Sequence, residues 1–245
     1  MAKVEGRNPV IEVLKGKRRV EEVFILKSAQ GKVIDKIYNL AHKKNIPIKE
    51  TTKEELDGLA KSHAHQGVIA LAQSLEYLNL DDLIAQVKEN SAAPFFILLD
   101  EIQDPHNFGS ILRTAEAAGV DGIIIPKRRA VGYTPIVVKS SAGAVEYLPV
   151  AQVTNLARTI DRLKEEGFWI AGADLEAEQS CYKADLTGSL GLVIGNEGSG
   201  MRRLVKEKCD FLIKMPMEGQ IESLNASVAA GILIYESLRQ RNEEG

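Results

Sequence analysis

Three polar loops contain the residue types that could carry chemistry, and each loop follows an apolar run. Asn107 and Arg113 come after FFILLD. Glu197 comes after LVIG, and Ser223 and Asn225 come after FLIKM. An amide, a hydroxyl, a carboxylate and a guanidinium together offer hydrogen-bond donors, acceptors and charges of both signs with which a polar ligand can be held. Considered one loop at a time, helix capping or simple surface exposure explains these residues better than catalysis.

The second loop, 196–201 (NEGSGM), lies in a glycine-rich stretch. Gly195, Gly198 and Gly200 would let the backbone approach a ligand closely. Their GxxGxG spacing is not the dinucleotide fingerprint, and no Gly-Lys-Ser/Thr follows, so the loop is not a P-loop either. Glu197 would repel a phosphate. The loop therefore favours a ligand with polar or cationic groups over a nucleoside triphosphate.

The apolar runs predict the element that positions these loops. Runs at 95–99, 122–125, 168–171, 190–194 and 211–215 alternate with helical patterns at 108–118, 154–166 and 201–208. Buried strands that alternate with helices indicate an α/β fold whose parallel sheet is covered on both faces. Ligands bind such sheets beyond the carboxyl ends of the strands. The three loops are therefore expected to converge on one crevice, which favours a shared site over three separate caps.

A helix is predicted after the third loop, in the second half of the segment 215–241. Leu224, Val228, Ile232 and Tyr235 recur at three- and four-residue spacing and so share one apolar face. The start of such a helix offers unpaired N–H groups, which either receive a side-chain cap or hold an anionic ligand group.

Composition bounds the class of protein. The chain has 245 residues, of which 44% are hydrophobic, as expected for one large globular domain or two small ones. It contains no apolar run long enough to span a membrane, and 1–19 lacks the apolar core of a signal peptide. Cys181 and Cys209 are expected to be reduced thiols of a cytoplasmic protein. His63 and His65 lack neighbouring ligands, so we expect a surface loop and no metal.

Charge is distributed unevenly along the chain. Residues 1–75 hold 14 Lys+Arg and 9 Asp+Glu, whereas the remainder holds 17 and 25. A basic N-terminal part indicates a polyanionic partner, although lysine-rich surfaces are common. We expect one domain over 1–75, a linker over 76–93 and a second domain over 94–245. The cluster of Lys15, Lys17, Arg18 and Arg19 is equally well explained by a solvated turn or by phosphate contacts.

Three motifs in order resemble those of a known family. NFGSILR, LVIGNEGSGM and MPMEGQIESLNASVAAGILIYE are similar to motifs of the SpoU/TrmH family of RNA ribose 2′-O-methyltransferases, in the SPOUT superfamily. GRNPVIEVLKG and HQGVIALAQ resemble the RNA-binding domain of the branch that methylates a guanosine of bacterial 23S rRNA. The resemblance implies S-adenosylmethionine-dependent 2′-O-methylation of a ribose in structured RNA. The first expectation for the target is a guanosine of 23S rRNA. The alternatives are tRNA or another rRNA as substrate, a non-catalytic RNA-binding module, or a generic flavodoxin-like nucleotide-binding protein.

The resemblance also implies features that no periodicity reveals. These are a trefoil knot in the second domain, a ribosomal-protein-like N-terminal domain, and a homodimer formed through the knotted domain with each active site near the interface. S-adenosylmethionine, whose product is S-adenosylhomocysteine, would be held by Ala173, Ile194, Gly195, Asn196, Gly198, Met215, Pro216 and Leu224. The catalytic residues would be Asn107, Arg113, Glu197, Ser223 and Asn225. The RNA-binding residues would be Arg7, Lys15, Lys17, Arg18, Arg19 and Arg113.

Chemistry refines the role of one of these residues. A ribose hydroxyl is a poor nucleophile, but a sulfonium methyl donor is already activated, so positioning supplies much of the catalysis. A guanidinium is always protonated, so Arg113 is better suited to hold a phosphate or stabilise a developing alkoxide than to act as a base. Met215-Pro216 stands where an Ile-Pro pair is frequent in the family, and a methionine can still pack on an adenine.

Overall fold

The computed structural model describes residues 1–60, 65–221 and 223–243, so His63 lies outside the described residues. The chain forms two compact units. Unit 1 comprises 1–76 and the short segment 142–147, and unit 2 comprises 77–141 and 148–245. Each unit has its own sheet and its own buried apolar core.

Unit 1 is a small α/β unit with a four-stranded mixed sheet. Its strand order is β1-β4-β2-β3, in which β4 runs antiparallel to β1 and β2 while β3 is parallel to β2. The core includes Val10 and Leu14 of the first helix, and Ile34 and Ile37 of the second. The elements are β1 Ala2–Glu5, α1 Arg7–Lys15, β2 Val20–Leu26, α2 Lys32–Lys43, β3 Ile48–Thr51, α3 Lys53–Leu59 and β4 Val68–Ala72.

Unit 2 contains a seven-stranded, all-parallel sheet in the order β7-β6-β5-β10-β8-β11-β9. This confirms the predicted α/β class and its parallel sheet. The strands are β5 Phe95–Leu99, β6 Gly122–Pro126, β7 Val150–Val153, β8 Trp169–Ala173, β9 Gln179–Ser180, β10 Leu190–Ile194 and β11 Phe211–Lys214. The helices are α4 Leu80–Lys88, α5 Pro105–Ala117, α6 Pro135–Ser140, α7 Leu156–Glu165, α8 Arg203–Lys208 and α9 Ala226–Glu243.

The central strands explain why the sheet needs helices on its faces. Every residue of β5 and β10 is buried, and these two strands pair directly. On one face Phe96 stacks on Phe168 at 5.0 Å between ring centroids, within a core to which α4, α7 and α8 contribute. Since all strands are parallel, their carboxyl ends lie along one edge of the sheet, where the loops predicted to carry chemistry begin.

Several details differ from the sequence-based expectation. Of the segment 76–93, expected to be a linker, residues from Tyr77 onward belong to unit 2, because Leu83, Ile84 and Val87 of α4 are buried in its core. The strands β1, β7 and β9 and the helices α1 and α6 had no predicted counterpart. Four of these five elements are six residues long or shorter, too short for a periodic pattern to be distinctive.

The last helix also corrects an expectation. Leu224, expected on the same face, precedes α9. Val228, Ile232 and Tyr235 do share a face, but this face is exposed, with 50%, 37% and 50% of each residue accessible. The buried side of α9 consists mainly of small and aliphatic residues. At Gly231 an added Cβ would lie 3.7 Å from Thr114 Cγ2, an ordinary van der Waals contact, so α9 packs beside α5 at this position.

Candidate active site

A pocket of about 380 Å³ opens at the carboxyl edge of the unit 2 sheet. Its apolar wall includes Ile194, Met215, Leu224 and Leu233. Its polar wall is formed by the β10–α8 loop, 195–202, called here the glycine loop. Concave sites that combine an apolar wall with a few polar groups are typical of small-molecule binding.

The glycine loop folds back on itself to form one side of the pocket. The backbone N–H groups of Asn196 and Gly200 each donate to the other residue's carbonyl oxygen, at 3.1 and 2.8 Å. A Cβ on Gly195 would lie 2.3 Å from the carbonyl carbon of Gly200 and 2.4 Å from the backbone nitrogen of Met201. Only glycine fits there, so the pocket wall depends on this residue. Asn196 Oδ1 further accepts hydrogen bonds from two N–H groups within the loop.

Three segments distant in sequence meet through the side chain of Asn107. Asn225 Nδ2 donates to Asn107 Oδ1 at 2.9 Å, and Asn107 Nδ2 donates to Glu197 Oε1 at 3.4 Å. Asn107 is buried, whereas Glu197 and Asn225 are exposed. Buried amides need partners for both of their polar atoms, and Asn107 finds them on two different loops. The predicted convergence of the loops thus takes the form of one polar chain.

Helix capping is distributed differently from the sequence-based interpretation. Asp104, not Asn107, caps α5: its side chain accepts the N–H of Asn107, and Pro105 occupies the first helical turn. The side chain of Asn107 is therefore free to join the loops. Asn225 both caps α9 and contacts Asn107. Its Oδ1 accepts hydrogen bonds from the backbone N–H and the hydroxyl of Ser227 at the start of α9, while its Nδ2 donates to Asn107.

An ion pair between a buried carboxylate and a partly exposed arginine secures the far end of the glycine loop. Asp100, at the end of β5, is fully buried and accepts hydrogen bonds from Arg202 Nε and from the Arg202 backbone N–H, both at 2.8 Å, while its Oδ1 forms an ion pair with Arg202 Nη2 at 2.6 Å. Nearer the start of the loop, Asn196 Nδ2 donates to the carbonyl oxygen of Glu101 at 3.4 Å. The segment before α5 thus contacts the glycine loop at both ends. Sequence reasoning missed this pair, because Asp100 and Arg202 are 102 positions apart.

Charged residues missed by the motifs also border the pocket. Lys206 of α8 lies between Asp174 and Glu176 of the β8–β9 loop, with Nζ–O distances of 2.8 and 3.4 Å. The hydrogen bond that Lys206 donates to Asp174 is the main cause that raises the pKa of Lys206. Asp174 could have been noticed because it follows Ala173 at a strand end, but nothing in the sequence pattern singles out Lys206.

Most residues expected to hold the cofactor lie together. The members that line the pocket are Ala173, Ile194, Gly195, Asn196, Gly198, Met215 and Leu224. Pro216 is exposed and is not among the lining residues. Of the residues expected to be catalytic, Glu197 and Ser223 line the pocket, and Asn107 and Asn225 join it through the polar chain.

Arg113 stands apart from the pocket. It lies six residues beyond Asn107 on α5, is exposed, and makes no hydrogen bond or ion pair with the described part of the chain. Six residues correspond to roughly 9 Å along a helix. The guanidinium is consequently available to a partner that the isolated chain does not supply.

The residues expected to bind RNA in unit 1 differ in accessibility. Lys15, Lys17 and Arg19 are exposed, and Lys15 pairs with Glu12 on its own helix at 2.7 Å. Arg7 donates through Nε to the carbonyl oxygen of Gln66 at 3.2 Å. In contrast, only 9% of the Arg18 side chain is accessible, and its guanidinium pairs with Glu146, also of unit 1, at 2.9 Å.

Metal-ligand clusters and membrane-spanning helices also bear on the class of site. Among the described residues, no group of three or more His, Cys, Asp or Glu side chains could hold a metal ion. Within the same residues, no helix is both long and apolar enough to cross a membrane. Cys181 and Cys209 are free thiols.

Comparison with known proteins identifies the class. The pattern of the family described as SpoU rRNA Methylase matches residues 94–235. A second pattern, described as RNA 2′-O ribose methyltransferase substrate binding, matches residues 3–78. Fold and site therefore define an RNA-modifying methyltransferase domain joined to its own substrate-binding domain. The chain belongs to the SpoU/TrmH family of RNA ribose 2′-O-methyltransferases.

Relatives and solved structures agree with this assignment. The chain is 50% identical to YacO of Bacillus subtilis over 99% of its own length and 97% of that protein, whose name places it among TrmH family tRNA/rRNA methyltransferases. A Staphylococcus saprophyticus protein of the same description is 46% identical over the same shares. The SpoU methyltransferase AviRb from Streptomyces viridochromogenes, solved with AdoMet, superposes with a TM-score of 0.81 at 26% identity, covering 97% of this chain and 89% of AviRb. An RNA 2′-O ribose methyltransferase structure gives a TM-score of 0.77 at 25% identity, covering 97% and 88% of the two chains.

Proposed function

We propose that this protein transfers a methyl group from S-adenosylmethionine to the 2′-hydroxyl of a ribose in structured RNA, a guanosine of 23S rRNA in first place. The observation that carries the proposal is the polar chain from Asn225 through Asn107 to Glu197. It joins the loop before α9, the start of α5 and the glycine loop directly beside the pocket.

The pocket fits the cofactor in shape and in chemistry. Its volume of about 380 Å³ lies within the range of roughly 300–1,000 Å³ usual for small-molecule sites. Met215 and Leu224 offer apolar surface for an adenine, and the tight turn at Gly195 brings backbone groups to its rim. Glu197 adds negative charge, which suits a sulfonium. When bound, S-adenosylmethionine supplies a methyl group already activated for transfer.

The remaining residues would act on the ribose. Asn107 is held on both sides and would keep the carboxylate of Glu197 in a fixed position toward the substrate. Ser223 lines the pocket and would orient the donor or the hydroxyl. Arg113, exposed and unpaired in the described chain, would bind the phosphate beside the target ribose and stabilise the developing alkoxide.

We assign RNA capture to unit 1 and methyl transfer to unit 2, following the expected domains 1–75 and 94–245. The basic balance of 1–75 and the exposure of Lys15, Lys17 and Arg19 support electrostatic contact with a phosphate backbone. Arg18 is already paired with Glu146, so it contributes less to this proposal than its neighbours. The two free cysteines accord with a cytoplasmic protein.

We further propose a homodimer through the knotted domain, with a trefoil knot formed by the C-terminal segment. The exposed stripe of Val228, Ile232 and Tyr235 on α9 supports the dimer, since an aligned set of exposed apolar side chains is typical of an interface. Arg113 directly precedes Thr114, the residue that faces Gly231 of α9. A dimer formed through this helix would thus bring a second chain near Arg113.

The deciding experiment is methyl transfer from labelled S-adenosylmethionine to unmodified 23S rRNA and, in parallel, to bulk tRNA. We expect label at a single ribose of 23S rRNA, mapped by reverse-transcription stops. Label found only in tRNA would keep the reaction and change the substrate, an outcome that fits the tRNA/rRNA naming of the relatives. Cofactor binding without transfer to naked RNA would direct the same assay to partly assembled ribosomal particles. Absence of cofactor binding would contradict the proposal.

A further inference from the structure

A second concave site lies at the same edge of the unit 2 sheet, beyond the ends of β6 and β7. It has a volume of about 330 Å³ and contains three cationic side chains and no acidic one. Its lining residues are Leu80, Lys127, Gln152, Val153, Thr154, Asn155, Arg158, Thr159 and Arg162. None of them lines the cofactor pocket, so this concavity needs an explanation of its own.

Two of the three cations are available to a ligand. Lys127 follows β6 directly, Arg158 lies in the first turn of α7, and both are exposed. Neither side chain makes a hydrogen bond or ion pair with the described residues. Arg162 differs, because it faces the carboxylates of Asp81, Glu165 and Glu166 and is largely neutralised by them. The free positive charge of the site therefore comes from Lys127 and Arg158.

The surroundings of these two residues favour an anion. Asn155 caps α7, and the first turn of this helix contains no acidic residue. A helix start adds a partial positive charge to that of the side chains. Thr154, exposed beside the cap, and Gln152 supply neutral donors. A phosphate group would find two cations and several donors without an opposing carboxylate in the lining.

The position of the site relates it to the methyltransfer pocket. In the order β7-β6-β5-β10, β7 lies three strands from β10, roughly 14 Å at the usual strand spacing. The loop after β6 connects the two sites, because Arg129 Nη1 contacts Glu101 Oε1 at 2.9 Å, and Glu101 adjoins the glycine loop through Asn196. Exposed Arg128 lies between Arg129 and Lys127 in the chain. The cations thus follow the sheet edge outward from the cofactor pocket.

We propose that Lys127 and Arg158 form a phosphate-binding subsite for the RNA backbone, a few nucleotides away from the methylated ribose. This inference rests on the proposed function and extends it by locating part of the substrate path on unit 2. The subsite contacts phosphodiester groups and reads no base, so it contributes affinity and register and leaves sequence selection to other contacts.

The test uses the full-length protein, saturating S-adenosylmethionine and an unmodified 23S rRNA transcript as probe. The variants are Lys127→Glu and Arg158→Glu, with Lys127→Gln and Arg158→Gln as milder forms. Lys183→Glu is the matched control: it makes the same charge change at an exposed lysine beyond β9, at the opposite edge of the sheet. RNA affinity is measured by filter retention from low to high NaCl, together with methyl-transfer kinetics and cofactor affinity.

We expect each charge reversal to weaken RNA binding about tenfold near 0.1 M salt. The plot of log K against log salt has a negative slope, and the magnitude of this slope should decrease by about 1. Turnover at saturating RNA and cofactor affinity should stay near the wild-type values, and Lys183→Glu should bind RNA as wild type does. The wild-type protein must bind the transcript for this comparison. If the Lys127 and Arg158 variants then bind RNA with the affinity and salt slope of the Lys183→Glu control, the subsite is overturned. Wild-type binding without methyl transfer would instead count against the proposed function alone, because the binding data would still decide the subsite.

Discussion

Asn225 donates a hydrogen bond from its side-chain amide to the side-chain oxygen of Asn107 at 2.9 Å, across 118 positions of sequence. Asn107 in turn donates a hydrogen bond from its Nδ2 to Glu197 Oε1. This chain couples the helix that begins at Pro105 to the loops on both sides of the pocket. Any change at Asn107 therefore acts on both of these loops at once.

Replacing Asn107 by Ala should reduce methyl transfer strongly and stability moderately. The substitution removes the hydrogen bonds to Asn225 and Glu197; because both partners are exposed and can bind water instead, we expect a loss of about 1 kcal/mol in the free energy of unfolding. Single-turnover transfer and urea unfolding provide the two measurements. Ser227→Ala is the control, since it removes a bond to Asn225 and keeps the bond between Asn225 and Asn107. Full activity of Asn107→Ala would show that the chain is dispensable.

Arg113→Ala should lower turnover strongly while it preserves the cofactor site. Because the exposed Arg113 side chain makes no hydrogen bond or ion pair with the described chain, its removal should leave the melting temperature and the affinity for S-adenosylmethionine unchanged. We expect transfer to fall about a hundredfold or more, as for loss of a donor that stabilises developing negative charge. Glu116→Ala, an exposed change on the same helix, should have little effect. Equal losses of cofactor affinity and of turnover would indicate a structural role for Arg113.

The Asp100–Arg202 pair should support both stability and cofactor binding. Asp100→Ala removes the carboxylate that accepts two hydrogen bonds from Arg202 and pairs with its guanidinium, and we expect a loss of about 2 kcal/mol by urea unfolding, the usual contribution of hydrogen bonds to a charged group. The affinity for S-adenosylmethionine, measured by calorimetry, should fall with it, because the glycine loop loses its anchor. Asp161→Ala breaks an exposed pair with Lys208 and should cost less than about 1 kcal/mol.

The exposed stripe on α9 should determine the oligomeric state. Val228→Asp combined with Ile232→Asp places charge in the proposed interface, so sedimentation equilibrium should change from twice the chain mass of 26.8 kDa to that mass. Leu204→Asp alters a similarly exposed apolar residue on α8 and should leave the dimer intact. A wild-type protein that sediments as a monomer would remove the proposed role of this stripe.

Neither thiol should react in the folded protein at pH 8. Burial, the dominant cause, raises the pKa of Cys209 to about 12, and it also raises the pKa of Cys181. A thiol with a pKa near 12 is ionised to about one part in ten thousand at pH 8, and only the thiolate is reactive. Ellman's reagent should therefore titrate both cysteines rapidly only after unfolding in guanidinium. Rapid reaction of the native protein at pH 8 would contradict this expectation.

Strand periodicity made much of the catalytic unit predictable. The runs at 95–99 and 190–194 are apolar without interruption, which only strands buried on both faces require, and the structure contains them as β5 and β10 with the same bounds. The parallel arrangement follows from the helices between the strands. From it came the correct expectation that the loops bearing Asn107, Glu197 and Asn225 would meet.

The partners of individual side chains depended on tertiary structure. Strand order places β10 between β5 and β8, and this neighbourhood brings Asp100 to Arg202, which no local pattern encodes. In the same way, periodicity identified the apolar face of α9 but not its exposure, because exposure depends on which neighbour covers a helix. Sequence alone thus determined the class of fold, the loops that matter and the family resemblance. Only the folded chain decided which atoms hold the site together, since hydrogen bonds and ion pairs form between groups close in space, however distant in sequence.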